Sequence, residues 1–275
     1  MIDRIIAIYC ICDDFFRDRA EHWPNIKMTE AEVMTTFILA HTDFYGNIEK
    51  SRTFLREHGY ISRMLGKSQF CRRAHRWSKS IWQELIQFAA LKGAIFGLPD
   101  AFVVDSFPVR VCQSIRMHRA HLFVGTKFKG YNACRHEYFR GLKIHAIVTT
   151  TGRPLIVWAT PGCVHDLRAY KEEAPWMRMK KGCTTYGDAA YLDEALENLL
   201  EVRGQKLVAA RRGNTKRPLG VRDFLDLQGL RKVVETTFSR VAALMPRKIH
   251  AVTEAGFEMK AMGFITAVSI IFAIS

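Results

Sequence analysis

Apolar residues recur every three or four positions through much of residues 1–97, and this period predicts a helical region. Thr29-Glu30-Ala31-Glu32 is a capping-box pattern: the Thr29 hydroxyl can accept from an amide of the first turn while Glu32 reaches back. Val33, Phe37, Leu39 and Ala40 continue that helix. Ser68 precedes a long segment in which Phe70, Ala74, Trp77, Ile81, Leu85 and Phe88 repeat at helical spacing. The other face of that segment carries Arg72, Arg73, His75, Arg76 and Lys79. Such a face suits a recognition helix lying against DNA or, equally, a solvated basic surface.

Beyond the breaker Gly97-Leu98-Pro99 the period changes. Residues 101–105 are a short apolar run suited to a buried strand. Two β-rich runs, 141–148 and 154–159, flank the hairpin signal Thr150-Thr151-Gly152-Arg153. Asp166 reads as the cap of a following helix, and Asp193 opens another that stops at Gly204. Residues 184–188 and 206–210 are two further strands. Leu227, Leu230, Val234, Phe238, Val241 and Met245 mark a last helix before Pro246. This order of strands and helices predicts an α/β sheet covered on both faces. The uncharged run after Gly263 falls short of the ~20 residues of a membrane span and predicts a buried helix.

Charge adds what the periodicity does not show. The 275-residue chain has a net charge of +14, and its distribution is uneven. Residues 1–97 carry 14 basic and 11 acidic side chains, residues 106–143 carry 8 and 1, and residues 203–248 carry 12 and 3. Concentrated cations of this kind suit a phosphate backbone. In residues 106–143, Arg116, Arg119, Lys127 and Lys129 lie among aromatic residues, a mixture suited to a backbone groove with base stacking. Residues 203–248 contain the basic loop of Arg211, Arg212, Lys216 and Arg217. Seven cysteines lack zinc-site spacing and read as free thiols in a reducing compartment. The first residues, with one cation and early acids, make a poor signal peptide.

The acids then matter by position. Asp105 and Asp188 each close an apolar strand, where an unpaired buried carboxylate costs several kcal/mol. Either could be a simple turn or cap residue. Glu235 lies in a basic and apolar helix four residues after Arg231, so a helical salt bridge is its default. Asp166 and Asp193 compete with them and are better explained as caps. Three carboxylates from separate elements can converge on hard divalent cations that take oxygen ligands.

The wording around the acids is more specific than the acids alone. Residues 104–109 (Val-Asp-Ser-Phe-Pro-Val), 186–191 (Tyr-Gly-Asp-Ala-Ala-Tyr) and 231–239 (Arg-Lys-Val-Val-Glu-Thr-Thr-Phe-Ser) resemble the three acid motifs of bacterial insertion-sequence transposases with a DDE domain. Within these the chain is most similar to insertion-sequence family 982. Residues 130–134, 138–145, 161–166 and 68–75 extend the resemblance over nearly the whole chain.

The resemblance implies a ribonuclease-H-like mixed five-stranded sheet with helices on both faces, preceded by an all-helical domain. Residues 1–97 would bind DNA, 98–248 would form the catalytic domain, and 249–275 would be a C-terminal helix packed on that domain. Asp105, Asp188 and Glu235 would be the catalytic and metal-binding acids, holding two Mg²⁺ or Mn²⁺ ions. Arg231 would orient Glu235 or hold a phosphate. Related families carry a Tyr and a Lys where this chain has Gln228 and Ala242, and Arg240 is the candidate substitute for the Lys. Terminal inverted repeats and target DNA would be the partners, a homodimer or larger assembly would join two ends, and the bacterial cytoplasm, at the nucleoid, would be the location. A nuclease on the same fold and a catalytically decayed DNA-binding protein are the two other classes.

Overall fold

The structure, a computed structural model, describes residues 1–19, 26–94, 97–113, 117, 119–132, 136–177, 179–211 and 217–275. The chain divides into two compact units, one of Met1–Phe96 with Arg240–Ser275 and one of Gly97–Ser239.

The first unit is helical: α1 (Ile2–Phe16), α2 (Glu30–Asp43), α3 (Ile48–Glu57), α4 (Lys67–Ala74), α5 (Lys79–Lys92) and, from the far end of the chain, α9 (Glu254–Ile274). α2 opens with the expected capping box. The Glu32 amide donates to the Thr29 hydroxyl at 3.1 Å, and the Thr29 amide donates to the Glu32 carboxylate at 2.7 Å. Every residue of α2 from Val33 to His41 is buried, so this helix is the centre of the unit. The single helix expected after Ser68 is two, because Ser78 caps α5 by accepting from the Ile81 amide. The apolar period runs across the break because Phe70 and Ala74 of α4 and Trp82 and Leu85 of α5 are all buried.

The C-terminal residues form one helix, α9. The apolar run forms the second half of the 21-residue helix α9, which has the length and composition of a membrane span but buries 67% of its apolar window. It packs on α2 and α5 within the helical unit. A helix apolar on all sides needs neighbours on most of them, and the bundle covers two thirds of this one.

The second unit holds one mixed sheet of β1 (Ala101–Gln113), β2 (Lys129–Asn132), β3 (Glu137–Thr149), β4 (Pro154–Pro161), β5 (Thr184–Gly187) and β6 (Lys206–Ala209). The order is β2-β3-β1-β5-β6, with β4 also on β3. β1, β3, β2 and β4 pair antiparallel, whereas β5 is parallel to both β1 and β6. Among the described residues there are thus six strands, not five. The extra strand, β2, is four residues of the basic insertion, too short and polar for a period to show. β1 also runs past Asp105 to Gln113, because β3 continues to pair with it through a bulge at Arg110 to Cys112.

α6 (Asp166–Glu173), α7 (Glu194–Val202) and α8 (Val221–Leu244) complete the chain. α8 covers one face of the sheet: its Leu227 packs with Tyr186 and Val208, and its Phe238 ring meets Phe107 at 4.6 Å. On the other face, Tyr170 of α6 approaches Trp158 of β4, and His145 of β3 stacks on that Trp158 at 5.1 Å.

Candidate active site

Strand pairing brings two of the three expected acids together. The last register pair of the parallel strands β1 and β5 is Val104 with Gly187, so Asp105 and Asp188 follow it side by side. This is the carboxyl end of β5, where open α/β sheets bind their ligands. Side-chain alternation puts Asp105 on the same face as Val103 and Phe107, the face that α8 covers.

Both carboxylates are held by backbone amides. Asp105 accepts from the Ser106 amide at 2.7 Å, and Asp188 accepts from the Ala190 amide at 2.9 Å, capping the 3₁₀ turn Ala189–Tyr191. Neither is within salt-bridge distance of a Lys, Arg or His among the described residues. Burial pushes Asp105 up to about 7; the Ser106 amide opposes this, and the charges of Asp188 and Asp166 add to it. Asp188 is raised by burial and by Asp166, with the Ala190 amide and Arg231 pulling the other way.

α8 closes the site from above the sheet. Leu227, Gln228, Arg231 and Val234 line one pocket with Val103, Val104, Asp105, Gly187, Asp188 and Ala210. Glu235 is one residue further round the helix and does not line it. Its side chain is 58% exposed, and its carboxylate lies 3.4 Å from the Arg231 guanidinium, the salt bridge expected of a residue four positions on. Among the described residues no three His, Cys, Asp or Glu side chains gather closely enough to hold a metal ion.

Asp105 and Asp188 nevertheless fit a hard divalent cation. Their free donors are all oxygen, they repel each other, and burial disfavours their charge, which the more distant Arg231 offsets only in part. A third oxygen ligand from Glu235 requires its side chain to leave Arg231.

Asp166, read from sequence as a cap, is a different kind of residue. The cap of α6 is His165, whose Nδ1 accepts from the Leu167 amide, and Asp166 is the first helical residue. Its Oδ1 accepts from the Ser106 hydroxyl at 2.8 Å and from Lys143 Nζ at 3.1 Å. Nothing in the local sequence distinguishes the cap from the position after it, since acids favour both. Asp193 does cap α7, accepting from the Leu196 amide at 2.8 Å.

The expected DNA-contacting side chains divide into groups. Arg72, Arg76, Arg119, Lys127, Lys129 and Arg217 are exposed. Lys129 lies 4.6 Å from the ring of Tyr138, which pairs across β2 and β3 with the equally exposed Tyr131. Arg73 is mostly buried and bonded to Glu30 and the Met28 carbonyl, and Arg211 is paired with Glu197 at 2.7 Å. Those two guanidiniums are engaged within the protein. Arg231 is held to Glu235, and Arg240 sits over Phe272 at 4.5 Å. Arg116, Arg212 and Lys216 lie outside the described residues.

Residues 97–270 match the family model described as "Transposase DDE domain". No curated protein matches the chain. A cryo-EM structure of a piggyBac transposase synaptic complex with hairpin DNA is similar, at a TM-score of 0.52 and 12% identity, over 98% of this chain and 72% of that one. At that identity the likeness is one of fold, a ribonuclease-H-like α/β sheet of the transposase kind.

Proposed function

Since the chain belongs to the DDE-domain transposase family, the match covering well over half of its length, we propose that it cuts DNA at the ends of an insertion sequence and joins the freed 3′-hydroxyl to target DNA. The observation that carries this reading is the side-by-side placement of Asp105 within β1 and Asp188 just after β5, both desolvated and, among the described residues, neither in a salt bridge. Glu235 is the third acid of the reading. It enters the site when its side chain exchanges Arg231 for the pocket that Val234, one residue earlier, already lines.

Asp105, Asp188 and Glu235 would hold two Mg²⁺ or Mn²⁺ ions. Such ions supply charge stabilisation for both the attacking and the leaving oxygen of an in-line displacement at phosphorus. The chain's own residues do the rest. The Ser106 and Ala190 amides fix the two aspartates in place before substrate arrives. Arg231, released from Glu235, becomes free to hold a phosphate at the pocket rim. Exposed Arg72, Arg76, Arg119, Lys127, Lys129 and Arg217 would contact the DNA backbone, with Tyr131 and Tyr138 offering ring faces beside Lys129.

The partners in this reading are terminal inverted repeats and target DNA, bound by a homodimer or larger assembly in the bacterial cytoplasm at the nucleoid, as in insertion-sequence family 982. A strand-transfer assay tests the joining step. A pre-cut end bearing a 3′-hydroxyl, incubated with supercoiled plasmid and Mg²⁺, is expected to give covalently joined products. Nicked plasmid without joined ends would assign the protein as a nuclease.

A further inference from the structure

Four side chains behind the acid pair are arranged in a way that the reading of Asp105, Asp188 and Glu235 does not use. Asp166 approaches from α6, on the sheet face opposite α8, and a single serine links it to Asp105. The Ser106 hydroxyl donates to Asp166 at 2.8 Å while the Ser106 amide donates to Asp105 at 2.7 Å. Lys143 of β3 fixes the other end: its ammonium donates to Asp166 at 3.1 Å and to the Val164 carbonyl at 2.9 Å, with only 16% of its side chain exposed. An acid at a helix start would ordinarily be occupied with the helix amides. Here His165 takes that role and leaves Asp166 turned to the sheet.

Tyr191 adds an independent sign that something polar belongs there. It is fully buried, yet its hydroxyl has no hydrogen-bond partner among the described residues. A buried hydroxyl without a partner costs on the order of 1–3 kcal/mol, so such groups in native proteins meet protein or ordered water. The ring sits against Gly187, the residue before Asp188, where a Cβ would come within 3.0 Å of it and 3.1 Å of Val104. Burial and then the charges of Asp166, Asp105 and Asp188 raise the phenol well above its ordinary range.

We propose that Asp166 is a positioning residue for a divalent cation that Asp105 and Asp188 would hold, acting on Asp105 through Ser106, with the unpartnered Tyr191 hydroxyl on the same side of the sheet as Asp166. The inference rests on the reading of those two acids as metal ligands. Asp166 is assigned a positioning role rather than a ligand's because its Oδ1 already accepts two donors and, among the described residues, no three acids gather within coordinating range. A magnesium-sized ion keeps several of its waters, and these require acceptors around the site. Residues that orient ligands and waters in this way typically alter metal affinity about 10–100-fold when replaced.

The test is Mn²⁺ binding to the intact, DNA-free protein, followed by the electron paramagnetic resonance signal of the free ion, with metal-free melting recorded alongside. Asp105→Asn and Asp188→Asn are expected to lose binding. Asp166→Asn is expected to weaken it about 10–100-fold, with partial recovery in Asp166→Glu. Ser106→Ala and Tyr191→Phe, each lacking only a hydroxyl, are expected to weaken it several-fold while melting as a folded protein. Wild-type affinity in Asp166→Asn and Ser106→Ala, with binding lost in Asp105→Asn, would overturn the proposal and leave the ligand reading intact. Wild-type affinity in Asp105→Asn as well would overturn the ligand reading and the proposal with it.

Discussion

Asp105 sits where burial, a neighbouring carboxylate and a single backbone donor compete, and burial wins. Its carboxyl titrates at about 7 when folded, against an ordinary value of 3.8. For an acid raised in this way, the stabilising contribution is complete below the ordinary value and is lost as pH rises through the folded one. His41 works in the opposite sense. Burial lowers it from 6.5 to about 4, so its contribution is present above 6.5 and is lost as pH falls through 4. Comparison with Asp105→Asn, which keeps an acceptor for the Ser106 amide, separates the two groups. In denaturant unfolding without metal, the variant is expected to match wild type near pH 4 and to exceed it by roughly 1–4 kcal/mol above pH 7. A difference that does not change with pH would mean that Asp105 is not desolvated as described.

At the scale of elements, legibility followed how local the determining contacts are. The capping box at Thr29, the Asp193 cap, the hairpin around Gly152 and the helix carrying Glu235 all depend on neighbours within about four residues, and the sequence contained them. The break at Ser78 stayed hidden because α4 and α5 both bury apolar residues, so the period continued across the turn. β1 and β2 owe their extent to pairing with β3, a long-range contact with no local trace. The acid pair was visible as two strand ends, but the side-by-side placement came from the parallel register, and Asp166 was hidden by the preference that acids show for any helix start. The place of α9 was equally beyond local reach. It is set by Gly263, where a Cβ would come within 2.6 Å of the Phe37 ring and 2.8 Å of His41 Nε2. Gly263→Ala is therefore expected to destabilise the protein by about 1–3 kcal/mol despite the better helix propensity of alanine. Gly229→Ala, in α8 with nothing within 4 Å of the new methyl, is expected to stabilise it by about 0.5–1 kcal/mol. Denaturant unfolding of both variants checks the pair, and effects of the same sign would count against the close approach of α9 to α2.

At the scale of the whole chain, charge and fold point to one use. A net charge of +14, with its excess in two windows that flank Asp188 in sequence, suits a polyanion and predicts binding that weakens steeply with salt. The family match and the transposase-like fold put the acid pair in a setting where phosphodiester chemistry is expected. Affinity and chemistry reside in different residues on this account, so they can be separated. The most direct measurement is Mg²⁺-dependent cleavage of end-containing DNA by wild type and by Asp188→Ala, with the Kd for the same DNA determined at several salt concentrations. The account predicts that the variant loses cleavage while its Kd and salt dependence stay at or near those of wild type. Cleavage at the wild-type rate by Asp188→Ala would contradict it.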